Sequence, residues 1–219
     1  DDHKTKNNKL IKNAYAREIY QIQKVQDGLV KSDRNDIAII SDLDEIPNLE
    51  KVNFNKINNR LIFFIQKMYY YKLNLLYKSM PWFGSKACKI KNLISPQWLR
   101  TIKNKKYSSW RLDTYFSKKK YTNIDFIKDG GWHFTNIMSP EKLEYKFRSY
   151  LHHGEIPRDI TNKNFLKKMI EEREINYDHS ADKRSERYTK KKLSFFNKEL
   201  LPEYIKNNFV KFENWFYKN

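Results

Sequence analysis

Apolar residues recur along this chain with two different spacings, and the change between them marks out the elements. From Leu10 to Val30 they come every three or four positions, at Ile11, Tyr15, Ile19, Ile22, Val25 and Leu29, which predicts one helix with Gly28 near its stop. The polar stretch Asp1 to Lys9 before it is expected to fray. Ile37, Ala38, Ile39 and Ile40 then form an unbroken apolar run that ends in Ser41, Asp42, Leu43, Asp44 and Glu45. A short continuous run of this kind suits a strand buried on both faces, which places the acids at its carboxyl end. Leu49 to Arg60 reads as a short helix, Leu61 to Leu76 as one or two strands, Met80 to Gly84 as a turn and Lys86 to Ile90 as a strand. Ser95-Pro96 opens a short helix with Pro at its first position, and Ser139-Pro140-Glu141 opens another with Ser as cap, Pro next and an acid in the first turn. Ile124 to Ile127 is a short strand, Asn162 to Arg173 a helix, Ser180 to Lys192 an exposed loop, and Leu201 to Ile205 the start of a last helix. Phe209, Phe212, Trp215 and Phe216 in the tail require a surface to pack on.

Composition narrows the class. The 219 residues are 39% hydrophobic and 16% aromatic, enough for a packed core rich in Tyr, Phe and Ile. There is no internal repeat and no Ser/Gly linker, so one domain spanning 1–219 is expected. Cys88 is the single cysteine, which excludes an internal disulfide framework and a cysteine-based zinc site and fits a reducing, cytoplasmic compartment. No apolar run approaches the length of a membrane span. The net charge of +18, from 44 basic and 26 acidic residues, favours anionic partners, among them phosphate-bearing substrates and anionic membrane surfaces in peripheral contact. The joint abundance of Lys, Asn, Ile and Tyr also fits an AT-rich coding composition, which would produce the same charge without a partner. The basic runs Lys103 to Lys106 and Lys118 to Lys120 flank Trp110 and Tyr115, as in proteins that grip single-stranded nucleic acid, but they read better as a solvated loop. No specific nucleic acid is expected.

The chemistry concentrates at the end of the first strand. In open α/β sheets, ligands bind at the carboxyl edge. Asp42 and Asp44 are two apart, so on a continuing strand they share a face and can meet one hard cation, Mn²⁺ or Mg²⁺, that bridges a diphosphate. Asp129-Gly130-Gly131-Trp132-His133-Phe134 is the second informative stretch: paired glycines permit a tight backbone path, and His133 either completes the metal shell or is a satisfied core histidine. Trp82 and Trp110 are expected in the core, with stacking on an acceptor sugar as the other role. A Gly-rich phosphate loop, a G-x-S-x-G elbow and an H-E-x-x-H helix are all absent from the sequence. A phosphatase or phosphotransferase of the haloacid dehalogenase type also ends an apolar strand in D-x-D, with Asp42 then the nucleophile. That pattern requires Thr or Val shortly after the second Asp, where this chain has Glu45-Ile46-Pro47, and requires the motif near the start of the fold, where here a long helix precedes it. A basic nucleic-acid-binding domain is the remaining alternative.

A-R-E-I-Y-Q at 16–21, S-D-L-D-E-I-P at 41–47 and G-G-W-H-F-T at 130–135 together resemble glycosyltransferase family 17, the β-1,4-mannosyl-glycoprotein β-1,4-N-acetylglucosaminyltransferase family. K-F-R-S-Y-L-H-H-G-E at 146–155 and L-P-E-Y-I at 201–205 extend the resemblance, which covers roughly Ala14 to Asn207. It implies a GT-A-like, nucleotide-diphospho-sugar transferase fold, an α/β mixed sheet flanked by helices. It also implies an inverting, metal-dependent transfer of GlcNAc from a UDP-sugar donor to a glycan acceptor, with a carboxylate removing the acceptor proton. Carried over, Asp42 and Asp44 become metal and diphosphate ligands with His133 completing the metal set. Arg17, Glu18 and Trp132 contact or brace the donor, and Glu45, Asp129 and Glu155 are the candidates for the catalytic base. Two departures stand out. GT-A members have strands before the D-x-D that hold the nucleoside, and here one helix precedes it, so those N-terminal strands are expected to be missing. Family members often carry Arg after the Gln of R-E-x-x-Q, and this chain has Ile22.

Overall fold

The computed structural model describes residues 2–57, 60–149, 159, 161–175, 180 and 189–218. In chain order the helix α1 (Asp2–Lys24) is followed by strands β1 (Ile37–Ile40), β2 (Glu45–Pro47), β3 (Leu61–Phe64), β4 (Gln66–Tyr70), β5 (Leu75–Trp82) and β6 (Lys86–Lys89). Then come α2 (Pro96–Thr101), β7 (Ile124–Ile127), β8 (Gly131–Thr135), α3 (Pro140–Ser149), α4 (Lys163–Glu171), β9 (Glu174–Ile175), β10 (Lys191–Lys192), β11 (Ser194–Phe195), α5 (Glu203–Asn207) and α6 (Phe209–Phe212). The fold is mixed α/β, with sheets of mixed strand direction and flanking helices.

Several sequence expectations shift at their edges. The first helix begins at Asp2, in the stretch expected to fray, and gives way after Lys24 to a 3-10 turn, Val25–Leu29, that holds the expected stop at Gly28. Leu49 to Arg60 contains two single 3-10 turns, Leu49–Lys51 and Phe54–Lys56, rather than one helix, because Val52 and Asn53 between them hold extended backbone. Met80 to Trp82 continues β5 through Pro81 instead of turning. The helix openings fall where their caps place them: Ser95 Oγ accepts from Trp98 N–H, and Asn162 Oδ1 accepts from Phe165 N–H. His152, His153, Glu155 and most of the expected 180–192 loop lie outside the described residues.

The chain divides into two units by its internal contacts. The first holds Ala16–Gln66 and Trp82–His133. Its four-stranded sheet runs β1-β6-β3-β7, antiparallel at the first two neighbours and parallel between β3 and β7. One face of this sheet packs Ile40, Phe63, Cys88 and Ile124 against Leu99 and Ile102 of the α2 segment. The other face packs Ile62, Phe64 and Ala87 against Ile57 and, partly buried, Val52 and Phe54. Each fully buried Leu, Ile or Phe of this kind contributes roughly 1.5–3 kcal/mol, so the two faces together anchor the sheet. Burial pushes the Cys88 thiol up to about 12, which leaves it an inert packing group. β1 is at the edge of the sheet: Ala38 and Ile40 are buried, while Ile37 and Ile39 are half-covered, so the expectation of full burial on both faces holds for one face.

The second unit holds Asp1–Tyr15, Lys67–Pro81 and Phe134–Asn219. In it, β11, β5, β4 and the end of β8 are neighbours in that order, β9 pairs with β10, and α3 packs on α4. Tyr69 packs between Phe134 and Phe196. The aromatic tail finds its surface here: Phe216 is buried, Leu73 N–H donates to Trp215 C=O at 2.9 Å, and Asn74 exchanges two hydrogen bonds with the Tyr217 backbone.

Candidate functional site

Every group described here belongs to the first unit. β1 ends at Ile40 and runs into a tight turn. Glu45 N–H donates to Asp42 C=O at 3.1 Å, and Glu45 Oε2 accepts from Asp42 N–H at 3.0 Å, so the turn Asp42–Glu45 is closed by backbone and side chain together. Leu43 at its tip is fully exposed. The turn ends the strand's alternation, and with it the expectation that Asp42 and Asp44 share a face. Asp42 takes both branches of the Arg100 guanidinium, its Oδ2 at 3.0 Å from Nη2 and its Oδ1 on Nη1. Asp44 Oδ2 is 3.4 Å from His133 Nε2.

β2 and the start of β8 pair antiparallel in the register Glu45↔His133, Ile46↔Trp132 and Pro47↔Gly131. The paired glycines make this possible: Gly130 N–H donates to Ile65 C=O and its C=O accepts from Asn48 N–H, each at 2.8 Å. Gly131 adopts φ +135°, open only to glycine, beside the Ile46 carbonyl. His133 is buried, with the Trp82 ring stacked on it at 4.4 Å between centroids and 19° between planes. Trp82 Nε1 in turn donates to Glu45 Oε1 at 2.7 Å. Glu45, Trp82, His133 and Asp44 thus form a closed chain of contacts around the turn. Trp132 is half-buried and, by strand alternation, on the opposite face of β8 from His133, so the two do not close one site together.

Arg100 is a group the sequence did not point to. It hangs on α2, 58 residues from Asp42. The hydrogen bond to Asp42 holds its guanidinium above its already high ordinary value, and the charges of Asp42, Glu45 and Glu18 add to this. Glu18 of α1 therefore bears on the same centre as Asp42, whereas Arg17 is exposed. Gln21, Ile22, Asp42, Leu43 and Arg100 line a cleft of about 270 Å³ at the carboxyl end of β1. That lies just below the ~300 Å³ at which small-molecule pockets begin, room for part of a nucleotide sugar.

Lys86 fixes the segment that carries Arg100. It is buried in β6, donates to Arg100 C=O at 3.0 Å and Ile102 C=O at 2.7 Å, and sits 4.4 Å over the Phe63 ring. Burial first, and the nearby Arg100 charge second, lower its ammonium to about 8. Between about pH 8 and the ordinary lysine value of 10.5 the unfolded chain then binds more protons than the folded one, so stability from this group rises with pH across that window. The stability difference between the parent chain and Lys86→Met should therefore move in the parent's favour by up to about 3 kcal/mol from pH 7 to pH 10, read by urea unfolding. A difference that stays flat with pH would show that burial does not lower the Lys86 ammonium.

Among the described residues, no group of three His, Cys, Asp or Glu side chains is placed to hold a metal ion. Asp42, Asp44 and His133, expected as a metal set, do not converge. His133 Nδ1 is buried without a partner among the described residues, whereas a metal-binding imidazole donates its second N–H to an acceptor. The arrangement fits His133 as the group that orients Asp44. Asp44 suits the single carboxylate of a cation that takes its remaining ligands from phosphate oxygens and water, the usual habit of Mg²⁺. Of the three carboxylates expected as base, Glu45 has its two oxygens on Trp82 and on the Asp42 amide, Asp129 sits at a left-handed turn before β8 with φ +49°, and Glu155 is outside the described residues. Trp110, expected in the core, is exposed. Comparison of the chain with protein-family models, with curated proteins and with solved structures finds no match in any of the three.

Proposed function

We propose that this chain is a glycosyltransferase of the family 17 type that transfers a sugar, GlcNAc by the resemblance, from a UDP-sugar to a glycan acceptor with inversion. One observation carries the reading. The two motifs on which the resemblance rests, 41–47 and 130–135, lie some 85 residues apart in sequence, yet Glu45-Ile46-Pro47 and Gly131-Trp132-His133 pair residue for residue. The third motif supports it, since Gln21 lines the cleft shared by Asp42 and Arg100, and Glu18 bears on Arg100. β1 as an edge strand with the acidic turn at its carboxyl end is consistent with a GT-A-like sheet to which nucleoside-binding strands would add. In this reading the donor's diphosphate enters the cleft, Arg100 leaves Asp42 to pair with phosphate oxygens, and the α1 face closes one wall. A divalent cation, Mn²⁺ or Mg²⁺, would be held by Asp44 and the phosphates, and would neutralise charge on the leaving diphosphate. Trp82 and Glu45 keep His133 and the turn in place, so that Asp44 is presented in one orientation.

Thermal unfolding with UDP-, GDP- and CMP-sugars, each with and without Mn²⁺, tests this. UDP-sugar at about a hundredfold over Kd should raise the midpoint by about 5 °C or more, with the rise larger when Mn²⁺ is present. Arg100→Ala should lose most of the shift, because the diphosphate then has no guanidinium to meet. A panel in which no UDP compound shifts the midpoint, or in which Arg100→Ala responds as fully as the parent chain, would defeat the reading.

A further inference from the structure

The segment from Lys103 to Tyr121 forms a loop whose two ends are tied together. Lys103 N–H donates to Lys119 C=O at 2.9 Å, Tyr107 N–H donates to Tyr121 C=O at 3.1 Å, and Lys106 bridges to Tyr121. The closure brings the two lysine runs, separate in sequence, side by side at the base. The interior is held by its own bonds. Asp113 pairs with Arg111 at 2.8 and 2.9 Å and with Lys120, and Thr114 Oγ1 donates to Arg111 C=O at 2.7 Å. The loop is a structured Ω-type excursion rather than a solvated strand of chain.

Its middle is apolar and faces solvent. Trp110 is 80% exposed, Leu112 76%, Tyr115 72% and Phe116 90%. Four large apolar side chains within seven residues, none covered, mark an interaction surface. Lys103, Lys105, Lys106, Lys118 and Lys119 are exposed around them, and the one acid of the loop, Asp113, is neutralised by Arg111 and Lys120. Beside Trp110 runs an open groove of about 700 Å³ lined by Lys106, Ser108 and Ser109, which pairs a cation with hydroxyl donors.

We propose that this loop docks the protein on an anionic lipid bilayer, with Trp110, Leu112, Tyr115 and Phe116 entering the headgroup–acyl boundary and the surrounding lysines engaging phosphate and carboxylate headgroups. The apolar tip supplies area to bury, and lysine stems can lie along that surface while their ammonium groups stay with the headgroups. Trp and Tyr carry a polar edge suited to the interface, whereas Leu112 and Phe116 suit the acyl region. The composition of the tip separates this from a single-stranded nucleic-acid grip. Leu112 has no ring face to stack on a base, and Phe116 is almost wholly exposed instead of walling a basic groove. None of these residues belongs to the cleft at β1, so the proposal stands or falls apart from the glycosyltransferase reading.

Sedimentation of the full chain with vesicles of phosphatidylcholine, with and without phosphatidylserine, tests it. The chain should partition onto the phosphatidylserine vesicles and not the neutral ones, and added salt should weaken the binding. Trp110→Ser/Phe116→Ser and Lys118→Glu/Lys119→Glu, both at exposed positions with the parent's thermal midpoint expected, should each reduce partition by at least about tenfold. Absence of vesicle binding would overturn the proposal, as would binding that survives in both variants, or retention of an oligothymidine without any binding to phosphatidylserine vesicles. Equal binding to neutral and anionic vesicles, unchanged in the lysine variant, would overturn the anionic assignment.

Discussion

Asp44→Ala should lower UDP-sugar turnover by about 10²–10³-fold while the chain still unfolds in one cooperative transition. The expectation follows from where Asp44 sits. It is on the turn after an edge strand, with His133 Nε2 at 3.4 Å behind it, while Asp42 is turned to Arg100 and Glu45 to Trp82 and the Asp42 amide. In the proposed reading its carboxylate and the donor phosphates share a cation, and losing an electrostatic group of that kind costs about 10²–10³ in rate even where binding persists. Folding should tolerate the change, because Asp44 is partly exposed and the turn is closed by Glu45 and Asp42. Sugar transfer and Mn²⁺-dependent UDP binding are the two measurements. Turnover within about tenfold of the parent would remove Asp44 from the chemistry.

Gly131→Ala should be among the most destabilising single substitutions in the chain, at about 4 kcal/mol or more in denaturant unfolding. Two effects add. The backbone there has φ +135°, which a residue with a Cβ adopts only under strain, and an alanine Cβ would overlap the Ile46 carbonyl oxygen on the facing strand. Relief requires β2 to separate from β8. That would undo the Glu45↔His133 register and leave the Trp82 Nε1–H and the Asp42 amide without their buried acceptor. Even protein that remains folded should therefore lose the UDP-sugar thermal shift. Parent-like stability would show that β2 and β8 are less closely apposed than this register requires. Gly84→Ala provides a milder comparison at the same clamp, since its Cβ would meet the Glu45 carboxylate and the Trp82 ring nitrogen, side-chain ends that can move.

Much of the local structure was legible because it follows from short-range rules. The apolar run Ile37–Ile40, the Ser95-Pro96 and Ser139-Pro140 openings and the apolar spacing from Phe165 to Ile170 each act within a few residues, and each element appears where those residues place it. The misreadings share a cause. Leu49 to Arg60 has spaced apolar residues, but the Asn48 side chain makes no capping hydrogen bond and the extended Val52 and Asn53 break the segment into single turns. Trp110 looked like core because tryptophan is usually covered, whereas the loop that carries it is held by an Arg111–Asp113–Lys120 cluster and is anchored on the core through Tyr121 and not through Trp110.

The candidate site divides along the same line. The sequence by itself determined that an acidic turn follows a buried strand, that a Gly-Gly-Trp-His stretch exists to meet something closely, and that a helix bearing Arg17, Glu18 and Gln21 comes before both. It could not determine what each acid faces. A two-residue spacing puts Asp42 and Asp44 on one side only if the strand continues, and the hydrogen bonds from Asp42 to Glu45 end it. Once the turn forms, the partner of each carboxylate is decided by groups 58 and 89 positions further along the chain, Arg100 and His133. Lys86 likewise reads as one more lysine in a chain of net charge +18, yet folding buries it against two carbonyls at the end of α2 and thereby places Arg100. Propensity, capping and strand alternation operate over a few residues, so they specify elements. The pairing of charges across a sheet depends on register and burial, which exist only in the folded chain.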